Sequence, residues 1–112
     1  MNLTELCPMA EIDDNDAKGM VAVVEGKQRN ILVARKGEQA FAYLNWCPHN
    51  QVLIDQIPGK FFDAEHQYLQ CSKHGAKFRV EDGRCIEGPC EGGGLKQLSL
   101  ELKDGVVFLA ES

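Results

Sequence analysis

Cys71-Ser72-Lys73-His74-Gly75-Ala76-Lys77-Phe78 decides how this chain is read, together with Cys47-Pro48-His49 upstream. Each stretch offers one thiol and one imidazole within a few residues, at the end of an apolar run. Residues 50–70 separate the two pairs, so the four side chains belong to two loops and not to one. Cys-x-His and Cys-x-x-His can each turn sulfur and nitrogen to the same side of a tight loop. Two such loops make a clamp for one metal centre, and the flanking sequence reads as β-scaffold that holds them face to face.

Upstream of the first pair, Met20-Val-Ala-Val-Val24 and Asn30-Ile-Leu-Val-Ala34 flank Glu25-Gly-Lys-Gln-Arg29, a hairpin pattern with a glycine-containing loop. Lys36-Gly37-Glu38 turns the chain into Ala40-Phe-Ala-Tyr-Leu44, a strand that leads to Cys47. Pro58-Gly59 suits a type II turn. Lys60-Phe-Phe62 and Gln67-Tyr-Leu-Gln70 bracket Asp63-Ala-Glu-His66 as a second hairpin, whose far strand feeds Cys71. Lys77-Phe-Arg-Val80 and Arg84-Cys-Ile86 bracket the turn Glu81-Asp-Gly83. Leu98, Leu100 and Leu102 alternate with polar residues, which predicts one half-buried strand. Asp104-Gly105 then predicts a two-residue hairpin into Val106-Val-Phe-Leu109. The acidic segment from Ile12 to Lys18 reads as a short helical turn, and Glu91-Gly-Gly-Gly94 as a flexible connector. With no internal repeat and no linker, the expectation is a single all-β domain over residues 1–112. It would be a small antiparallel sandwich or barrel, with the metal-binding part at roughly residues 45–90.

The chain has 112 residues, 44% of them apolar, enough for a core without disulfide staples. Its apolar runs fall far short of the ~20 residues a spanning helix needs. The N-terminal stretch has neither a basic head nor an apolar core of the secretory kind, which gives the expectation of a cytoplasmic protein with no membrane partner. A net charge of −5 with scattered acids argues against nucleic acid. Five cysteines in a reducing compartment read as metal chemistry before they read as a disulfide framework.

Thiolates are soft donors that stabilise ferric iron, and imidazoles are neutral ones. A [2Fe–2S] cluster held by two of each carries less negative charge than an all-cysteine cluster, so an added electron is easier to accept. Cys₂His₂ clusters accordingly span roughly −150 to +300 mV, against about −400 mV for plant-type ones. A structural Cys₂His₂ zinc site would use the same donors, but such sites commonly begin with Cys-x₂₋₄-Cys, which this chain lacks.

The pattern Cys47-x-His49 … Cys71-x-x-His74-Gly75-x-x-Phe78-x-x-x-x-Gly83 … Gly88-Pro89 resembles the Rieske iron–sulfur family, especially its small soluble ferredoxins. The likeness extends over nearly the whole chain. It implies a Rieske-like fold whose cluster-binding subdomain is formed by the two ligand loops. It implies one [2Fe–2S] cluster per chain, with Cys47 and Cys71 on the inner iron and His49 and His74 on the outer. Gly88-Pro89 would match the family's covering loop. The implied activity is one-electron transfer without catalysis, from a flavin-dependent reductase to a terminal oxygenase. Alternatives of a different class are a small subunit bound to the large subunit of a reductase, such as a nitrite reductase, and a redox-sensing module.

The sequence also departs from relatives. The high-potential branch joins an extra cysteine from each loop as a disulfide, whereas Val52 and Ser72 stand in those neighbourhoods here. That branch has a serine after the His-Gly pair, where this chain has Ala76. Losing a hydrogen bond to cluster sulfur lowers the potential, so the low end of the range is expected. The interval between the pairs is longer than usual, around Ile57–His66.

Other residues carry smaller expectations. Trp46 reads as a core aromatic at a strand end, Cys7 as an apolar filler or surface thiol, and His66 as solvated. Cys85 and Cys90 read as two free thiols. Lys73, Lys77 and Arg79 place positive charge beside the candidate centre, where it could orient an acidic partner or simply face water.

Overall fold

The computed structural model describes residues 2–46, 54, 60–71, 75–87 and 94–111. The described residues include ten strands: β1 (Asn2–Pro8), β2 (Asp16–Val24), β3 (Lys27–Lys36), β4 (Gln39–Leu44), β5 (Leu69–Gln70), β6 (Lys77–Phe78), β7 (Cys85–Glu87), β8 (Gln97–Leu98), β9 (Leu100–Lys103) and β10 (Val106–Glu111). They form three antiparallel sheets, ordered β2-β3-β4-β8, β1-β10-β9 and β5-β6-β7. The all-β expectation holds.

The first of these sheets lies between the other two, and the sequence of β3 explains why. Ile31-Leu32-Val33-Ala34 is apolar at four successive positions and every one is fully buried. Side chains alternate between faces along a strand, so such a run needs cover on both sides. Ile31 and Val33 join Ala22, Val24, Ala42, Leu98, Val107 and Leu109 in the core beneath β1-β10-β9. Leu32 and Ala34 join Tyr43, Phe61, Leu69, Phe78 and Val80 in the core beneath β5-β6-β7. Burying each such Ile, Leu or Val is worth roughly 1.5–3 kcal/mol.

Several expectations are sharpened or corrected. The loop foreseen at residues 25–29 shrinks to Glu25-Gly26, and Val24 pairs with Lys27. Both turn residues have positive φ, +52° and +79°, as do Asp104 and Gly105 at the β9–β10 turn. These are the left-handed pairs whose twist matches that of a hairpin. The single strand foreseen through Leu98, Leu100 and Leu102 is broken at Ser99. Leu98 pairs with Ala42 in the central sheet while Leu100 pairs with Leu109 in the outer one, and Leu102 is exposed. The chain crosses from one layer to the next there, so alternation continued while the partner changed.

Ile12 to Lys18 is not helical. A 3₁₀ turn lies earlier, at Met9–Glu11, and β2 begins at Asp16. Arg35 explains the change. Its guanidinium donates to the Ile12 carbonyl at 2.9 Å, and its own carbonyl accepts the Asn15 N–H at 3.0 Å, drawing this segment onto the sheet edge. β1, absent from the sequence reading, pairs with β10 from Asn2 to Pro8. Among the described residues no helix is long and apolar enough to cross a membrane.

Candidate metal centre

Of the four candidate ligands, Cys71 is among the described residues; Cys47, His49 and His74 lie outside them, as do Gly88-Pro89, Val52, Ser72, Lys73 and Cys90. Cys71 follows β5 directly and is fully buried, in the same core as Ile54, Leu69, Ala76, Phe78 and Cys85. Its N–H donates to the Ala76 carbonyl and its carbonyl accepts from the Gly75 N–H, both at 2.9 Å. The second loop is therefore closed at its base by main-chain bonds that continue the β5–β6 pairing of Gln70 with Lys77. Gly75 has φ +73°, a left-handed conformation in which a side chain is strained. This is the reason for the glycine after His74.

The first loop is closed differently. β4 ends at Leu44, and the Asn45 N–H donates to the Asn30 carbonyl at 2.9 Å. Asn45 is buried, and its side-chain oxygen accepts the Ile54 N–H at 2.9 Å. Ile54 is fully buried in the core that holds Cys71. The end of one loop and the start of the other are thus rooted in the same apolar cluster. Asn45 was not singled out in the sequence; the signal was a polar residue at a strand end, two positions before Cys47.

Two further contacts fix the small sheet. The Tyr43 hydroxyl, from β4, donates to the Val80 carbonyl at the β6–β7 turn. Burial, with Asp82 and Glu81 nearby, raises the Tyr43 pKa, so the phenol stays a donor. Gly83 packs so close that a Cβ there would lie 2.6 Å from Tyr43 Cε1, at a φ of +73°. The Gly94 backbone bridges to Arg84, so the end of the foreseen connector is tied to this turn.

The hairpin before Cys71 turns on Asp63, buried at its root. Its carboxylate accepts the Gln67 N–H at 2.9 Å and the Tyr68 N–H at 3.3 Å, with Lys77 Nζ 3.5 Å away. Burial alone would raise its pKa, but the two amides and the ammonium outweigh it and hold the carboxyl below its ordinary range. Phe62 bridges Leu69 across this hairpin, as foreseen.

Trp46 is half exposed, so it is not a core aromatic. The strand ends before it, and it lines an open cleft of about 340 Å³ with Gln28, Arg29 and Asn30. His66 is exposed, as foreseen, and its ring stacks on Phe62 at 5.8 Å. Cys7 is the buried filler, and Cys85 is a buried thiol whose Sγ donates to the Glu87 carbonyl at 3.5 Å. Lys77 pairs with Asp63 and, at 3.7 Å, with Glu87, and Arg79 with Asp82 at 3.4 Å. Two of the three cations considered for docking therefore face acids of their own chain.

Cys71, the candidate ligand among the described residues, suits the donor set that the sequence suggests. A soft sulfur donor sits at the buried root of a closed loop, in apolar surroundings that favour thiolate bound to metal over thiolate alone. Among the described residues no three His, Cys, Asp or Glu side chains gather as a metal site by themselves.

No curated protein matches the chain by sequence. The fold is similar to that of the ferredoxin of carbazole 1,9a-dioxygenase from Nocardioides aromaticivorans IC177. The TM-score is 0.78 at 19% identity, over 100% of each chain. A chain in the complex of reduced oxygenase and oxidized ferredoxin of carbazole 1,9a-dioxygenase gives 0.77 at 21% identity, over 96% of this chain and 92% of that one. A protein described as an NADPH nitrite reductase small subunit gives 0.70 at 17%, over 99% and 100%. With the model for the Rieske [2Fe–2S] domain matching residues 2–101, the chain belongs to that family.

Proposed function

We propose that the chain is a one-electron carrier holding one [2Fe–2S] cluster, with Cys47 and Cys71 on one iron and His49 and His74 on the other. The observation that supports this most is the place of Cys71, a buried soft donor whose own N–H and carbonyl close the loop that contains position 74. When bound, such a cluster supplies a one-electron couple in the mixed thiolate–imidazole range. The chain's own residues keep water from the Cys71 side, through Ile54, Leu69 and Phe78, and root Ile54 and Cys71 in one apolar cluster. Ala76, fully buried, offers no hydroxyl, which sets the couple toward the low end.

The donor in this reading is a flavin-dependent reductase and the acceptor an oxygenase, in the cytoplasm, with residues 1–112 acting as one domain. Similarity to a dioxygenase ferredoxin and to a ferredoxin–oxygenase complex supports it. The full-length likeness to a nitrite reductase small subunit favours a second reading, a subunit bound within a larger reductase. Stable co-purification with a large flavoprotein would select that one.

The test is the electron paramagnetic resonance spectrum of the dithionite-reduced protein, purified anaerobically, with iron and sulfide assayed on the same sample. The expected result is a rhombic signal with average g below that of an all-cysteine cluster. A silent sample containing zinc and no sulfide would overturn the proposal.

A further inference from the structure

Asn45 is a polar side chain inside an apolar core, and such a group stays only where its hydrogen bonds are made. At 5% exposure it reaches across the first ligand loop to accept the Ile54 N–H at 2.9 Å. Its backbone is itself fixed, since its N–H donates to the Asn30 carbonyl of β3 at 2.9 Å. Ile54 at the other end is fully buried beside Cys71 in one cluster. Positions 45 and 54 therefore bracket Cys47 and His49, and one side-chain carbonyl spans the bracket. At the second loop, the bonds of Cys71 with Gly75 and Ala76 are made by the main chain.

We infer that Asn45 is a positioning residue for the first pair of cluster ligands: its side-chain carbonyl sets the span of the loop that carries Cys47 and His49. The inference rests on the cluster reading above. The chemistry of the position is narrow. Leucine or alanine would leave the Ile54 N–H buried without this acceptor. Aspartate keeps an acceptor of the same reach but brings charge into the core. Glutamine keeps the amide and lengthens the stem by one carbon, which changes the span and adds one methylene to the core.

Three variants of the whole protein, Asn45→Ala, Asn45→Asp and Asn45→Gln, separate positioning from packing. Two readouts are taken: the spectrum of the reduced cluster, and the rate at which an iron chelator strips the oxidised protein. For Asn45→Ala, iron release about tenfold faster is expected, the equivalent of one buried hydrogen bond. Its rhombic signal should broaden or shift. Asn45→Asp should return both readouts toward the parent. Asn45→Gln should displace the g values while the chain remains folded, and this arm decides the matter if the alanine variant does not fold. A merely structural role would lower melting temperatures and leave g values and release rates unchanged; that result overturns the inference alone. A parent protein without sulfide or signal overturns the cluster reading, and this inference with it.

Discussion

The two candidate ligand loops are closed in opposite ways. Cys71 is tied to Gly75 and Ala76 by main-chain bonds that extend the β5–β6 pairing and call for a glycine at the left-handed position 75. Positions 45 and 54 are joined instead through an amide side chain. A backbone closure is robust to substitution but depends on the whole sheet being in place. A side-chain closure is vulnerable at the position that supplies the side chain. The second loop should therefore be most sensitive to changes in its hairpins, and the first to a change at Asn45.

The largest blow to the second loop should come from Gly83→Ala. The new Cβ meets Tyr43 at 2.6 Å and strains a φ of +73°, so destabilisation of about 3 kcal/mol is expected in urea unfolding. Parental stability in that variant would show that the β6–β7 turn moves away from β4 at little cost. It would also show that the second loop is not braced from the central sheet.

Asp63→Ala removes the acceptor for the Gln67 and Tyr68 amides and should cost about 2 kcal/mol. The same group sets an acid limit. Its folded pKa lies below its unfolded value, so its stabilisation is complete above the unfolded pKa, near roughly pH 4. That stabilisation is lost as pH falls through the folded pKa. Melting temperature should therefore decline on acidification more in the parent than in Asp63→Asn, and equal declines would remove Asp63 from the account.

Ala76→Ser is a milder probe of the same loop. A hydroxyl directed at cluster sulfur should raise the midpoint by about 50 mV, close to one tenfold step for a one-electron couple. A parent midpoint well above about +200 mV would contradict the low-end assignment. The smallest effect is expected from Gln70→Ala. The Gln70 side-chain amide lies 3.3 Å from the Gly75 carbonyl, and its loss should change stability by less than about 0.5 kcal/mol. A loss as large as that of Asp63→Ala would mean that the second loop, too, leans on a side chain.

Much of this was legible in the sequence, and the failures have a common cause. The runs at Met20–Val24 and Asn30–Ala34 and the Asp104-Gly105 turn were read correctly because local chemistry dictates them. The break at Ser99 was hidden because Leu98 and Leu100 keep the alternation of one strand while pairing in two sheets. β1 was hidden because its partner is β10, at the other end of the chain. Ile12 to Lys18 looked helical because the reach of Arg35 from the next hairpin is not a local property. In the candidate site the sulfur and imidazole donors stood out by type and spacing. Asn45 and Asp63 did not, since an amide or carboxylate near a turn looks the same whether it faces water or a buried N–H.

Trp46 is the only tryptophan of the chain, half exposed and immediately before Cys47. Its fluorescence therefore comes from one known place, inside the bracket formed by residues 45 and 54. An iron–sulfur chromophore absorbs where indole emits, so the protein carries its own optical gauge. Dim emission would mark a filled centre, and brightening would time the loss of iron from the first loop without any label.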